Sequence, residues 1–202
     1  DPISAVIDYT GKPYVYTDPL NPKNKLTVSK NDFGSGDGML TSVWGPTMWH
    51  TLHTISFNYP VIPSKSDKKN YRDYILQLKY VLPCKYCRMN LRKNLQTLPL
   101  TMGKMKSRET FSRYIYDLHE LINKMLHKKS NLTYEDVCQR YEHFRARCNL
   151  KFDIANKNKN KTHKKGCVVP FHKVKSKGIV QIVPHDTKCE SLQIDKKCFE
   201  VN

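Results

Sequence analysis

Nowhere in this chain of 202 residues does an apolar run approach the roughly 18–20 residues needed to cross a bilayer, so no membrane-spanning helix is expected. The opening Asp1-Pro2 is not followed by a basic-then-apolar pattern, so no export signal is visible there. No Gly-x-Gly-x-x-Gly turn occurs, which removes the usual fingerprint of a dinucleotide-binding Rossmann fold. No internal repeat is found, so a solenoid or propeller is not expected. Acidic residues are scarce: 18 Asp and Glu stand against 35 Lys and Arg, a formal charge of +17. By segment the balance is −1 over residues 1–43, +11 over 44–148 and +7 over 149–202. Such a surplus draws anions of several kinds: nucleic acid, acidic membranes, acidic proteins or a phosphate-bearing cofactor. It is equally what a solubilising Lys/Asn-rich surface looks like, and residues 156–165 (NKNKNKTHKK) read as such a solvated loop.

What is present falls into three segments. Residues 1–43 carry Pro, Gly, Asn and Asp at short intervals and read as an irregular arm with a short strand near Tyr14–Tyr16. Residues 44–148 change regime. Met48, Leu52 and Ile55 give a helical spacing over 47–58, stopped by Tyr59-Pro60. Tyr71, Tyr74, Ile75, Leu78 and Val81 predict a second helix over 67–81, and Pro83 ends it. Cys84 opens a third, with Leu91 and Leu95 on its inner face. Ser107 opens a long fourth, carrying Phe111, Ile115, Leu118, Ile122 and Met125. Thr133-x-x-Asp136 resembles an N-terminal cap for a short fifth helix running towards Arg147. The expected fold is mainly α: a four-helix bundle plus a short fifth helix. Residues 149–202 change again, with Val168-Val169, Phe171, Val174 and the run 179–183 suggesting short strands or an irregular wrap.

Seven cysteines stand at 84, 87, 138, 148, 167, 189 and 198. Only Cys84 and Cys87 form a Cys-x-x-Cys, and they sit where a helix begins. A helix N-terminus stabilises a thiolate through its unpaired N–H groups, and Lys85 and Arg88 add positive charge. That is the setting for dithiol–disulfide exchange. Zinc is the competing use, but it needs two more ligands. The remaining cysteines supply no second close pair, leaving only His163 and His172 as stray candidates. A merely structural disulfide is the third reading. Elsewhere, Trp49 and His53 are i and i+4 and share a helix face; His119 and Asn123 repeat the arrangement on the fourth helix. Each pair alone is consistent with ordinary core packing. Together, flanking a Cys-x-x-Cys, they outline a pocket with a flat aromatic, two imidazoles and an amide, suited to a planar, polar-edged cofactor.

Over about residues 44–148 the sequence resembles the Erv/ALR family of FAD-linked sulfhydryl oxidases. The resemblance rests on Trp44-Gly45-x3-Trp49-x3-His53, Tyr59-Pro60, Cys84-x2-Cys87, Leu91-Arg92 and His119-x3-Asn123-x4-Lys128. The family has members in large DNA viruses, and the Lys/Asn-rich composition is that of an AT-rich genome. The resemblance implies a bundle that holds FAD, with Gly45, Pro46, Thr47, Trp49, His53 and Tyr59 lining it from the first helix and the residues that follow. His119, Ile122, Asn123 and Lys128 would come from the fourth, the lysine towards the pyrophosphate. Tyr141 stands where relatives often carry Trp, able to stack on adenine. It also implies that substrate dithiols of proteins exchange at Cys84, that Cys87 faces the flavin, and that electrons pass to O₂ to give H₂O₂. A homodimer through the first two helices is implied as well.

Three departures from the family pattern stand out. Glu120 occupies a position that usually holds Asn. Cys138 and Cys148, where relatives keep a structural disulfide, have nine intervening residues rather than about sixteen. In one unbroken helix they would lie about 15 Å apart, too far to bond unless the chain folds back. A shuttle pair would have to come from Cys189 and Cys198, for which structural bonds or free thiols are the competing roles. The alternative function, from a different class, is a basic zinc- or nucleic-acid-binding module. The absence of a visible export signal leads to the expectation of a host cytoplasm or virion location for a viral protein, and otherwise of the cytosol or an unconventional compartment.

Overall fold

The computed structural model describes residues 14–18, 21–28, 31, 34–147, 167, 169–172, 175–188 and 192–198. Five helices dominate them: α1 (Thr41–Phe57), α2 (Lys65–Val81), α3 (Lys85–Thr97), α4 (Arg108–Met125) and α5 (Tyr134–Glu142). The expected mainly α bundle with a short fifth helix is what forms. There are also two small antiparallel sheets: β1 (Tyr14–Asp18) with β2 (Asn21–Val28), and β3 (Ala146–Arg147) with β4 (Val169–Pro170).

Three helix starts are written into the sequence as reciprocal caps. Ser64 Oγ accepts from Asp67 N–H while the Asp67 carboxylate accepts from Ser64 N–H. Ser107 and Thr110 do the same for α4, and Thr133 and Asp136 for α5. Each satisfies two backbone donors that a helix start otherwise leaves open. The bundle closes on one apolar cluster. Leu52 of α1, Ile75 and Leu78 of α2, Leu91 of α3 and Phe111, Tyr114 and Ile115 of α4 all meet there, 5 % exposed or less.

The structure corrects the sequence reading in three places. The N-terminal arm, expected to hold one short strand, contains a hairpin; β2 includes Pro22, Lys23, Asn24 and Lys25, a polar run that hides its extended character. Helix α1 begins at Thr41, six residues earlier than the expected 47, with Pro46 inside it. Its first turn has no side-chain cap; it is closed instead by the Val43 and Trp44 N–H groups on the Leu40 carbonyl and by the Trp44 indole on the Met39 carbonyl. Helix α5 stops at Glu142 rather than running towards Arg147. There the Arg145 guanidinium binds both Glu142 carboxylate oxygens and the Phe57 carbonyl at the end of α1, which turns the chain out into β3. Of the two readings of residues 179–183, a short strand or irregular chain, the irregular one is found, with Ile179, Val180 and Ile182 exposed. The expectations placed on Val168, Val174, Cys148, Cys189 and residues 156–165 lie outside the described residues.

Candidate functional site: a dithiol and a buried ring cluster joined by one helix

Cys84 caps α3. Its Sγ accepts the Cys87 N–H at 3.2 Å, the place usually taken by a Ser or Asp oxygen. Both sulfurs are free thiols, half-buried. The loop that carries Cys84 is held by the residues just before α1. Gly38 bridges to Cys84 in antiparallel fashion, Met39 N–H donates to the Pro83 carbonyl at 2.7 Å, and Lys85 N–H donates to the Asp37 carbonyl at 2.9 Å. Gly38 adopts φ +116°, and a Cβ there would lie 2.4 Å from Pro83 O and 2.7 Å from Cys84 Cα. Only glycine allows the backbones to approach so closely. From the first turn of α1, the Thr41 hydroxyl reaches the Cys87 sulfur at 3.7 Å.

The two thiols are not alike. Burial pushes the Cys84 thiol up, but hydrogen bonds from Cys87, through both side chain and N–H, and from Thr41 and Tyr86 N–H bring it below the ordinary thiol value. Burial also pushes Cys87 up, and sharing a proton with Cys84 raises it further, against the opposing hydrogen bond from Thr41. In the reduced pair the thiolate therefore resides first on Cys84.

Further along α1, at four-residue steps from Thr41 that each advance about 40° around the axis, come Gly45, Trp49 and His53. At 1.5 Å rise per residue, Trp49 lies about 12 Å along the axis from Thr41. Trp49 stacks on His119 of α4, centroids 3.9 Å apart and planes 8° from parallel. His53 Nε2 and His119 Nδ1 are 3.1 Å apart, and Tyr141 of α5 closes the group, its ring 5.2 Å from His53 and its hydroxyl 3.2 Å from His50 Nδ1. Burial, followed by the charge of His119 and His50, lowers His53 to about 3. Burial and then Lys128 lower His119 to about 4. Both imidazoles are neutral at neutral pH. With Nε2 engaged by His119, His53 Nδ1 is buried without a hydrogen-bond partner. Left so, it costs about 1–3 kcal/mol.

Lys128 is brought back to this end of α4 by the turn that ends the helix. Lys128 N–H returns to the Asn123 carbonyl and His127 N–H to that of Lys124, with His127 at φ 54°. Its side chain is exposed. Asn123 donates its side-chain amide to Glu120 Oε1 at 3.0 Å, so the unusual carboxylate at 120 is tied to a neighbour on its own helix. Ile122 packs on the main core, Gly45 is buried, Pro46 is half-buried and Thr47 is exposed, its carbonyl accepting from the Thr51 hydroxyl. Tyr59 lies elsewhere. It is fully buried against Tyr71 and Phe111, donates its hydroxyl to the Met105 carbonyl, and is not brought to the ring cluster.

Sequence reasoning missed Thr41, Gly38 and Asp37, because residues 1–43 carry no periodic pattern. Gly38 in a Gly-rich run was the only available signal. Cys138 is a free, half-buried thiol, so it does not form the disulfide implied with Cys148; Cys198 is also free, and Cys167 is disulfide-bonded. Among the described residues no group of three or more His, Cys, Asp or Glu is placed to hold a metal ion.

Residues 46–144 match the model of the Erv1/Alr family. A protein of Acanthamoeba polyphaga mimivirus, named a probable FAD-linked sulfhydryl oxidase, is 34% identical over 99 residues, covering 49% of this chain and 68% of that protein. An FAD-linked sulfhydryl oxidase of African swine fever virus is 33% identical over 86 residues, covering 43% of this chain and 70% of that one. An Arabidopsis thaliana FAD-linked sulfhydryl oxidase is 28% identical over 110 residues, 54% of this chain and 50% of that protein.

Proposed function

Because the chain belongs to the Erv1/Alr family, we propose that it is an FAD-dependent thiol oxidase that forms disulfides in protein substrates and delivers the electrons to O₂, giving H₂O₂. The observation that carries this reading is the placement of α1. It touches a helix-capping dithiol at Thr41 and enters a cluster of neutral imidazoles and flat rings at Trp49 and His53.

That cluster fits the flavin cofactor by its donor set. His53 Nδ1 is a buried polar atom lacking a partner, two imidazoles carry no charge, Trp49 and Tyr141 offer ring faces, and exposed Lys128 stands near with a positive charge for a pyrophosphate. Trp49, His53, His119, Asn123, Lys128 and Tyr141 would hold FAD, with Gly45 leaving room beside α1. When bound, FAD takes up the electron pair of the dithiol and passes it to O₂.

The protein's own steps are thiol–disulfide exchange. A substrate thiolate attacks Cys84 Sγ of the oxidised pair. A substrate–Cys84 bond forms, the Cys84–Cys87 bond breaks, and Cys87 leaves as thiolate. The second substrate thiol, as thiolate, attacks its own partner sulfur in the mixed disulfide; the product disulfide departs and Cys84 leaves as thiolate. Two electrons have then moved from substrate to the Cys84–Cys87 pair, and the protons released by the substrate thiols are balanced by those the cysteine thiolates take up from solvent. The low value of Cys84 makes it the better leaving group in that second exchange. Cys87, directed towards α1 through Thr41, is the thiol on the cofactor side.

We read the active form as a homodimer through α1 and α2. The viral relatives support a large DNA virus as source and the host cytoplasm or the virion as location. Among the described residues no helix is long and apolar enough to cross a membrane. The purified protein tests the reading. It is expected to carry flavin absorbance and to consume O₂ when a dithiol is added. A colourless protein that binds zinc, or one that binds DNA in a salt-sensitive way without taking up O₂, would contradict it.

A further inference from the structure

We propose that Thr41 is a positioning residue for the dithiol, its hydroxyl holding the Cys87 sulfur and donating to it when that sulfur leaves as thiolate. The inference rests on the thiol-oxidase reading for its purpose, but on local geometry for its substance. Thr41 Oγ1 lies 3.7 Å from Cys87 Sγ, within reach of an O–H···S hydrogen bond.

The backbone that precedes it fixes where the exposed Thr41 stands. Asp37, Gly38 and Met39 are hydrogen-bonded or bridged to the Pro83–Lys85 backbone. Thr41 therefore cannot drift from α3 without breaking the strap that also fixes Cys84. An orienting group placed this way is of most use when charge develops on a sulfur, because a hydrogen bond to a charged atom is stronger than one between neutral groups.

The other groups around Cys87 are accounted for. Cys84 is the titratable partner across the pair. On α3 itself, Arg88 directs its guanidinium to the Leu82 carbonyl at 2.6 Å, and Lys85 is exposed. Asp37, on the strap, is exposed and contributes its carbonyl. Thr41 is thus the side-chain hydroxyl that meets the sulfur from α1. In the exchange step the bond to Cys84 breaks, the electron pair stays on Cys87 Sγ, and the Thr41 O–H turns to it; no proton need be transferred.

The test is the pH profile of Cys87 alkylation in the reduced, flavin-bound full chain, read residue by residue by mass spectrometry, for wild type, Thr41→Val and Thr41→Ser. Thr41→Val is expected to move the Cys87 half-point upward by about one pH unit and to slow reduction of the Cys84–Cys87 disulfide by a small dithiol about tenfold at pH 7. Thr41→Ser, which keeps the hydroxyl, is expected to stay near wild type. If Thr41→Val fails to fold, Thr41→Ala is read in the same way. A Val or Ala profile that coincides with wild type overturns the proposal, as does a Ser variant shifted as far as Val. Failure of the oxidase reading would show separately, as no dithiol-driven O₂ uptake in wild type, since the alkylation profile needs no turnover.

Discussion

His53 and His119 sit 3.1 Å apart inside the bundle, and their value to the protein depends on neither carrying a proton. Burial holds them at about 3 and about 4, against 6.5 in an open chain. Between pH 6.5 and about 4 the unfolded chain therefore binds protons that the folded protein refuses. Stability from these groups is complete above pH 6.5 and falls as pH drops through that window. The slope is up to about 1.4 kcal/mol per pH unit for each imidazole. Urea unfolding at pH 7 and pH 5 is the check, with a clearly lower midpoint expected at pH 5. A midpoint unchanged between the two would show that the pair is not buried neutral. Asn123 adds a second lesson at this scale. Its type and spacing mark it as pocket-lining, but its amide is engaged by Glu120, which no spacing rule anticipates.

Among the elements, α2 and α4 were legible through apolar groups at three- and four-residue intervals, and α5 through its cap Thr133-x-x-Asp136. The third helix was legible through Pro83 and its thiol cap. The start of α1 was not. Leu40 offers no capping side chain, Pro46 looks like a boundary, and the turn is closed by the Leu40 and Met39 carbonyls instead. The end of α5 was misjudged for a related reason, since Arg145 reaches across to the end of α1. The strap over residues 37–39 is the element on which the dithiol most depends, and Gly38 is its weak point. Replacing Gly38 by Ala puts a methyl 2.4 Å from the Pro83 carbonyl at a positive φ. The strap is then expected to lift from the Cys84 loop. Hydrogen exchange at the Met39 and Lys85 amides should rise at least about tenfold, from loss of about 1.4 kcal/mol or more of local protection. Unaltered protection at both amides would show that the strap does not need glycine.

For the whole molecule, the +17 charge is the feature with the least specific meaning. It accommodates an anionic cofactor and acidic partners alike, and it explains none of the chemistry by itself. What organises the chemistry is α1, which joins a reactive pair at one end to a cluster of neutral imidazoles and aromatic rings along its length. The motif Trp49-x3-His53 placed half of this arrangement in the sequence. The half built by Thr41 depends on where the helix begins, which only the tertiary contacts decide. Electrons are proposed to leave the dithiol through Cys87 for the flavin. The most direct measurement is anaerobic addition of a dithiol to the flavin-bound protein, following flavin absorbance in wild type and in Cys87→Ser. Wild type is expected to bleach while Cys87→Ser keeps its flavin bound and oxidised; bleaching of Cys87→Ser at the wild-type rate would contradict the account.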